Sequence, residues 1–402
     1  MENTAPRGPL TGIRVIEAGS LIAGPFSGQL LGDLGAEVIK VEAPVTGDAF
    51  RAWGRHTDEG AGVWWATQSR NKQSVTINLR TEEGQSVFRD LLAEADVLIE
   101  NFRPGTLAKW GLGEEALSEQ FPRLVVSHVS GFGQTGPYAG RAGYASIGEA
   151  MGGLRYITGY EDRPPTRIGI SLGDSLAAVF STIGVLAALN ERHRSGQGQH
   201  IDTSIYESVL ALTESMVADA HVFGIDRERT GTTLKGIAPS NAYPTGDGKS
   251  IIIAANQDTV FKRLCAAMDM PELVTDPRFV THQARGDNMD EIDAIIAEWS
   301  QKHAADDLLN LLEDAGVPAG NINRASDILS DPHIEERGSI TWADAPGIGR
   351  LPMPNVTPRL SRTPGGIQTT GPRLGEHTIT VLRDLLHYDE SRVQELSHNG
   401  HI

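Results

Sequence analysis

Residues 10–44 read LTGIRVIEAGSLIAGPFSGQLLGDLGAEVIKVEAP, and the change of character along them decides the fold class. Ile13–Glu17 is a short apolar run interrupted only by Arg14, the pattern of a buried strand. The turn Ala18–Gly24 follows, and Pro25 then opens a helix at a position where its missing N–H is harmless. That helix runs to about Leu34, and Gly35 suits the left-handed residue that ends it. Ala36–Val41 is a second strand. Strand, turn, helix and strand in this order predict a parallel pair joined by a right-handed crossover.

The alternation continues outward. Ser74–Asn78 is strand-like, Glu82–Ala95 is helical with Val87, Leu91 and Leu92 on one face, and Val97–Glu100 is a strand. A helical stretch near Glu114–Glu119 precedes another strand at Leu124–Val129. Repetition over roughly 130 residues predicts an α/β fold with a doubly wound parallel sheet. Gly131–Gly173, rich in Gly, Pro and Tyr, reads as long functional loops around one short helix. Asp174–Glu191 and Ser204–Val222 read as helices, the first apolar on most sides and therefore buried.

The pattern shifts after the charged connection Ile225–Lys235. A strand at Ser250–Ala255 leads into amphipathic helices at Gln257–Met268, Met289–Lys302 and Ala304–Ala315. We therefore expect a discontinuous large domain, residues 1–225 plus 330–402, with a smaller inserted α+β domain at 230–325. Residues 226–229 and 326–329 would be linkers. The proline-rich stretch Leu351–Arg373 would return across the surface to a closing helix at His377–Leu386.

Composition narrows the function. The 402 residues carry 35 Lys+Arg against 52 Asp+Glu, a net charge of −17 that disfavours a general nucleic-acid binder. The single cysteine, Cys265, can build neither an internal disulfide nor a cysteine-rich zinc site. It reads as a small buried hydrophobe in a reducing compartment. No leader-like or membrane-length apolar stretch is expected, which predicts a cytoplasmic protein without membrane contact.

The motifs divide into weak and suggestive. Gly19, Gly24 and Gly28 are spaced five and four apart, which does not match the G-x-G-x-x-G of a dinucleotide turn. His128, alone within a strand, reads as a packed or hydrogen-bonded residue. Asp174 lies after Gly173 and before an apolar helix, the place of an N-cap. The same geometry would keep it ionised, as a carboxylate nucleophile requires. Arg80, Arg103 and Lys109 lie just beyond strand ends, where open α/β sheets bind ligands.

These stretches resemble the class III CoA-transferases, the family of the formyl-CoA and carnitine CoA-transferases. The likeness begins with residues 10–44 and continues through SRNKQSVTINLRTEEGQ, DVLIENFRPGTLAKWGLG and SGFGQTGPYAGRAGY. It resumes at RSGQGQHIDTSIYES, LLEDAGVPAGNIN and DPHIEERG and closes with PRLGEHTITVL. It implies that Asp174 is the nucleophile and that Tyr144 helps position the reactants. It also implies coenzyme A contacts at Ile22 and Ala23, at Ile77, Asn78, Leu79 and Arg80, and at Asn101, Phe102, Arg103 and Lys109. The loop Ala142, Gly143, Tyr144 and Ala145 would complete them. Acyl-CoA and a carboxylic acid would be the substrates, with no tightly bound cofactor and no metal. A homodimer of two interlinked rings is expected on the same ground.

Departures from the family's branches sharpen this. The oxalate-using branch has Gln where this chain has Ile22 and Arg where it has Ala43, and its tetraglycine loop is missing here. The wording is closer to members that use succinyl-CoA and dicarboxylic acids. Two other functions remain to be distinguished. A 2-methylacyl-CoA racemase shares the fold but needs His where this chain has Tyr144, and tyrosine is a poor proton shuttle. A non-catalytic CoA-binding protein would form no acyl adduct on Asp174.

Overall fold

The computed structural model describes residues 8–402, which fall into two compact units. The first comprises the chain up to Arg155, Arg167–Phe223 and His333–Ile402. The second takes Gly224–Pro332 together with Tyr156–Thr166. The sequence reading leaves that last segment among the loops of the larger domain, because YITGYEDRPPT has no periodicity to assign it elsewhere.

The first unit is built on one parallel sheet of six strands. These are β1 (Arg14–Glu17), β2 (Glu37–Glu42), β3 (Lys72–Thr76), β4 (Val97–Glu100), β5 (Val125–Ser130) and β6 (His200–Ser204). Their order is β3-β2-β1-β4-β5-β6, so the winding reverses between β1 and β4. In register, Ile16 of β1 sits between Ile39 of β2 and Leu98 of β4. Four helices matter below: α1 (Ala23–Asp33), α2 (Glu82–Ala93), α3 (Ala145–Met151) and α4 (Leu172–Ser195).

Side chains alternate between the two faces of the sheet, so both must be apolar. Ile16, Ile39, Leu98 and Val126 pack on Val87, Phe88 and Leu91 of α2 and on Val381 and Leu382 near the C-terminus. Their strand neighbours Val15, Val38, Val97 and Val125 pack instead on Leu31 of α1 and Val185, Ala188 and Leu189 of α4. Helix α4 passes the length and hydropathy test for a membrane span, contrary to the expectation of no such stretch. It is nevertheless a packed element, with Ala177, Ala178 and Val185 fully buried.

Other corrections have physical causes. Strand β6 has no signature in the sequence, because HIDTS carries a single large apolar residue. The expected helix Ser204–Val222 is two helices, Ile205–Leu210 and Met216–Phe223, broken where Glu214 takes φ 53°. Strand β3 ends at Thr76, which leaves Ile77–Arg80 free to line the sheet's edge. Within the proline-rich return, Gly349–Pro354 pairs antiparallel with Ile340–Ala345. A two-stranded ribbon has an unbonded side that tolerates proline.

The second unit holds an antiparallel sheet of Ser240–Pro244, Ser250–Ala254 and Ala319–Asn321. Helices Asp258–Ala267, Met289–Ser300 and Ala305–Asp314 cover it, with Leu264, Ile296 and Leu308 in the core. Cys265 is buried among them, and burial pushes its thiol up to about 11. It is a packing residue there.

Candidate active site

The turn after β1 is fixed from beneath by buried charge. Lys40 Nζ donates to Glu17 Oε1 at 2.8 Å and to Gly19 O at 3.0 Å, and meets Asp48 Oδ2 at 2.8 Å. Lys72 Nζ meets Glu17 Oε2 at 2.8 Å and donates to Pro25 O at 2.6 Å. Burial opposes the charge on both lysines. At Lys40 the carboxylates of Glu17, Asp48 and Glu42 outweigh it and raise the pKa, whereas at Lys72 burial prevails. Asp48 also accepts from the Leu21 N–H at 3.0 Å, at the one turn residue with φ 65°. Removing one partner from such a lattice strands a buried charge, so the turn is held rigidly.

The three glycines now have a reason. A Cβ on Gly28 would stand 2.2 Å from Glu17 Oε2, and one on Gly19 would stand 2.9 Å from Asn101 Oδ1. At Gly24 the nearest atoms, also of Asn101, are 3.4 Å away. The glycines let α1 approach β1 and the end of β4. Asn101 itself accepts from Ser20 N–H and donates to Ser20 O, both at 2.8 Å. This ties the ends of β1 and β4 together at the point where strand order reverses.

Beside this tie lies a cavity of about 280 Å³. Its wall includes Ser20, Ile77, Asn78, Leu79, Arg80, Phe102 and Trp110. Phe102 meets Trp110 edge to face at 5.3 Å between centroids. Asn78 anchors Gly400 and His401 here, its N–H donating to His401 O at 2.7 Å and its Nδ2 to Gly400 O at 3.3 Å. Strand C-terminal ends at a switch point are where such sheets bind ligands.

The expected coenzyme contacts are thus partly brought together. Ile77, Asn78, Leu79, Arg80 and Phe102 share the cavity wall, and Asn101 braces it. Arg103 and Lys109 are exposed and do not line it. Ile22 is buried against Phe50 and Trp65, so its side chain is structural, and Ala23 is buried beside Val129 and Ala177. Ala142 is exposed, Gly143 closes on the end of β5, and a Cβ on Gly131 would stand 2.8 Å from Gly143 Cα. Tyr144, 66% exposed, is the N-cap residue of α3, and Ala145 begins that helix.

Helix α4 starts at Leu172 with Ser171 as its N-cap, so Asp174 is inside the first turn. This corrects the N-cap reading. A Cβ on Gly173 would press on Ala145 O at 3.1 Å and on Glu149 Cγ at 3.2 Å. The glycine before Asp174 therefore lets α3 rest on that turn, which brings the Tyr144 loop toward Asp174. Asp174 is half-buried and has no hydrogen-bond or ion-pair partner among the described residues. Burial first, and then the charge of Glu149, push its carboxyl up to about 6, while Arg167 pulls it down. The carboxyl is thus less acidic than an exposed aspartate, yet at neutral pH it is still mostly ionised, as the sequence leads one to expect. A half-buried carboxylate left without a protein partner suits one that reacts.

The sequence reading missed Glu149, Arg155 and Arg167. Glu149 sits in an otherwise apolar or small helix segment, ASIGEAM, and that lone charge was the available signal. His128 is hydrogen-bonded through Nδ1 to Glu100 Oε1 at 2.5 Å and through Nε2 to His200 Nδ1 at 3.0 Å. Glu100 in turn accepts from Phe102 N–H at 2.7 Å, so His128 supports the cavity edge from behind.

Residues 10–378 match the family described as CoA-transferase family III. The chain is 55% identical over 386 residues to succinyl-CoA–D-citramalate CoA-transferase of Chloroflexus aurantiacus, covering 96% of each protein. It is 34% identical to the succinyl-CoA:glutarate CoA-transferase of Mus musculus, covering 98% of this chain and 90% of that one. A solved structure of a CAIB/BAIF family protein from Brucella suis is 37% identical, with a TM-score of 0.82 over 94% of this chain and all of that chain, 100%.

Proposed function

The chain belongs to CoA-transferase family III and is a CoA-transferase, and we propose that it moves CoA from succinyl-CoA to a free dicarboxylic acid through Asp174. The half-buried, unpartnered carboxyl of Asp174 at the first turn of α4 carries this reading. The names of two relatives, one acting on citramalate and one on glutarate, support the substrate class.

In this mechanism an Asp174 oxygen attacks the thioester carbonyl. The new C–O bond forms, the C–S bond breaks, and CoA leaves as thiolate, giving a mixed anhydride. Thiolate then attacks the aspartyl carbonyl, which releases the donor acid as carboxylate and leaves an Asp174–CoA thioester. The acceptor carboxylate attacks that thioester and again expels thiolate, giving a second anhydride. Thiolate attack on the acceptor's acyl carbon completes the new acyl-CoA and frees Asp174. Holding the thiolate close makes its return effectively intramolecular. Water must be excluded, because either anhydride would hydrolyse.

The cavity around Ile77–Arg80 and Phe102 would take part of the coenzyme, with Arg80 facing its phosphates. A homodimer belongs to the same proposal. Val179, Ile183 and Leu186 are exposed at helical spacing along α4, an apolar stripe suited to a partner subunit. The test is a matrix of acyl-CoA donors against carboxylic acids, read by mass spectrometry of the products and of the Asp174 peptide. A donor-dependent adduct on Asp174 with succinyl-CoA and a dicarboxylic acid as the fastest pair is expected. Equal turnover by Asp174→Asn would remove the mechanism. Solvent-deuterium exchange at a 2-methylacyl-CoA without any acceptor acid would favour the racemase instead.

A further inference from the structure

Glu149 is almost fully buried, 1% exposed, in the middle of α3. Its Oε1 accepts the Gly173 N–H at 3.2 Å, and its Oε2 meets Arg155 Nη2 at 2.9 Å. A helix's first turn has backbone N–H groups without intrahelical partners. Glu149 takes one of them at the residue next to Asp174. Arg155, reaching in from the solvent side, supplies the counter-charge that a buried carboxylate needs. Gly173 makes room for the contact, since a Cβ there would stand 3.2 Å from Glu149 Cγ.

The transfer chemistry itself has no step for this carboxylate. The charged groups that face Asp174 are Glu149 from α3 and Arg167 from the segment leading into α4. We propose that Glu149 is a positioning residue for Asp174: it fixes the backbone turn that carries the nucleophile and holds a second negative charge beside it. This rests on the reading of Asp174 as the nucleophile. The effect is to make Asp174 a more basic carboxylate, hence a stronger nucleophile and a poorer leaving group. Burial and Glu149 together bring Asp174 to about 6. At pH 7 about ten molecules are then ionised for each one protonated, so little of the reactive form is lost.

Glu149→Gln separates the two functions, because it keeps an acceptor for the Gly173 N–H and removes the charge. Glu149→Ala removes both. In the full-length protein, carboxyl ¹³C NMR titration of Asp174, assigned with Asp174→Asn, measures the coupling without requiring turnover. The Asp174 midpoint is expected to fall by about one unit in Glu149→Gln. The acidic limb of the single-turnover acylation rate should move down with it, and kcat should fall several-fold while KM for acyl-CoA stays within about twofold. Glu149→Ala should lose further activity that Glu149→Gln retains. An Asp174 titration in Glu149→Gln that overlies the parent's would overturn the proposal. A shifted titration with no acyl or CoA adduct on Asp174 would instead overturn the nucleophile reading, and the catalytic meaning of Glu149 with it.

Discussion

Asn101 pairs with both backbone polar groups of Ser20, accepting from its N–H and donating to its carbonyl at 2.8 Å each. The pair spans the ends of β1 and β4, so an amide side chain completes what backbone pairing between those strands leaves unfinished. Asn101→Ala should cost about 1–2 kcal/mol, read by urea denaturation. Acyl-CoA affinity should weaken in the same variant, because the cavity edge loses its brace. Asn101→Asp keeps the acceptor and loses the donor, and should recover part of both effects.

Gly28 and Gly24 make a matched pair for testing helix approach. Gly28→Ala drives a methyl against Glu17 and disturbs the Lys40–Glu17–Lys72 lattice. We expect a loss of about 3 kcal/mol or more, or failure to fold. Gly24→Ala meets only ordinary contact with Asn101 and should cost under about 1.5 kcal/mol. Thermal melts of the two variants side by side decide it.

Asp174→Asn should abolish transfer and stabilise the protein. The folded-state pKa of Asp174 is raised from the model-compound value of 3.8 to about 6, so the folded form binds the proton more tightly than the unfolded one. Its contribution to stability therefore declines as pH rises through that window and is constant above it. Partial exposure of the carboxyl reduces the effect, leaving on the order of 1–2 kcal/mol at pH 7. Calorimetry should show the variant melting above the parent at pH 7, with the gap closing below pH 4.

Among the three cations beyond strand ends, only Arg80 lines the cavity. Arg80→Ala should raise the KM for acyl-CoA about tenfold, with a dependence on ionic strength. Lys109→Ala should change it by less than about twofold. Equal effects from the two variants would mean that the coenzyme phosphates lie outside this cavity.

What the chain discloses before folding follows its periodicity. The β1–α1–β2 unit is legible because Ile13–Glu17 and Ala36–Val41 are dense in apolar residues and bounded by Gly and Pro. Strand β6 is not, because its place comes from pairing Val126 with His200 and Val129 with Thr203, a long-range match that HIDTS alone does not encode. From its position alone Asp174 reads as a helix cap, and the family resemblance is what marks it as a candidate nucleophile. The end of β3, by contrast, is legible as cavity wall because it lies just beyond a strand. Glu149 and Arg155 are not, because their meaning lies in the contact between α3 and the first turn of α4. Likewise Gly19, Gly24 and Gly28 announce close approach, but the atoms approached belong to Glu17 and Asn101, one of them far along the chain.

The hold of Asn78 on Gly400 and His401 has a consequence for biosynthesis. The Asn78 side chain and Gly400 are 322 positions apart, yet they meet at a residue of the cavity wall. On the ribosome, β1 to β5 can pair long before this seam exists. The Asn78 end of the cavity wall therefore gains this support only after residue 400 has been made, well after the sheet that carries it.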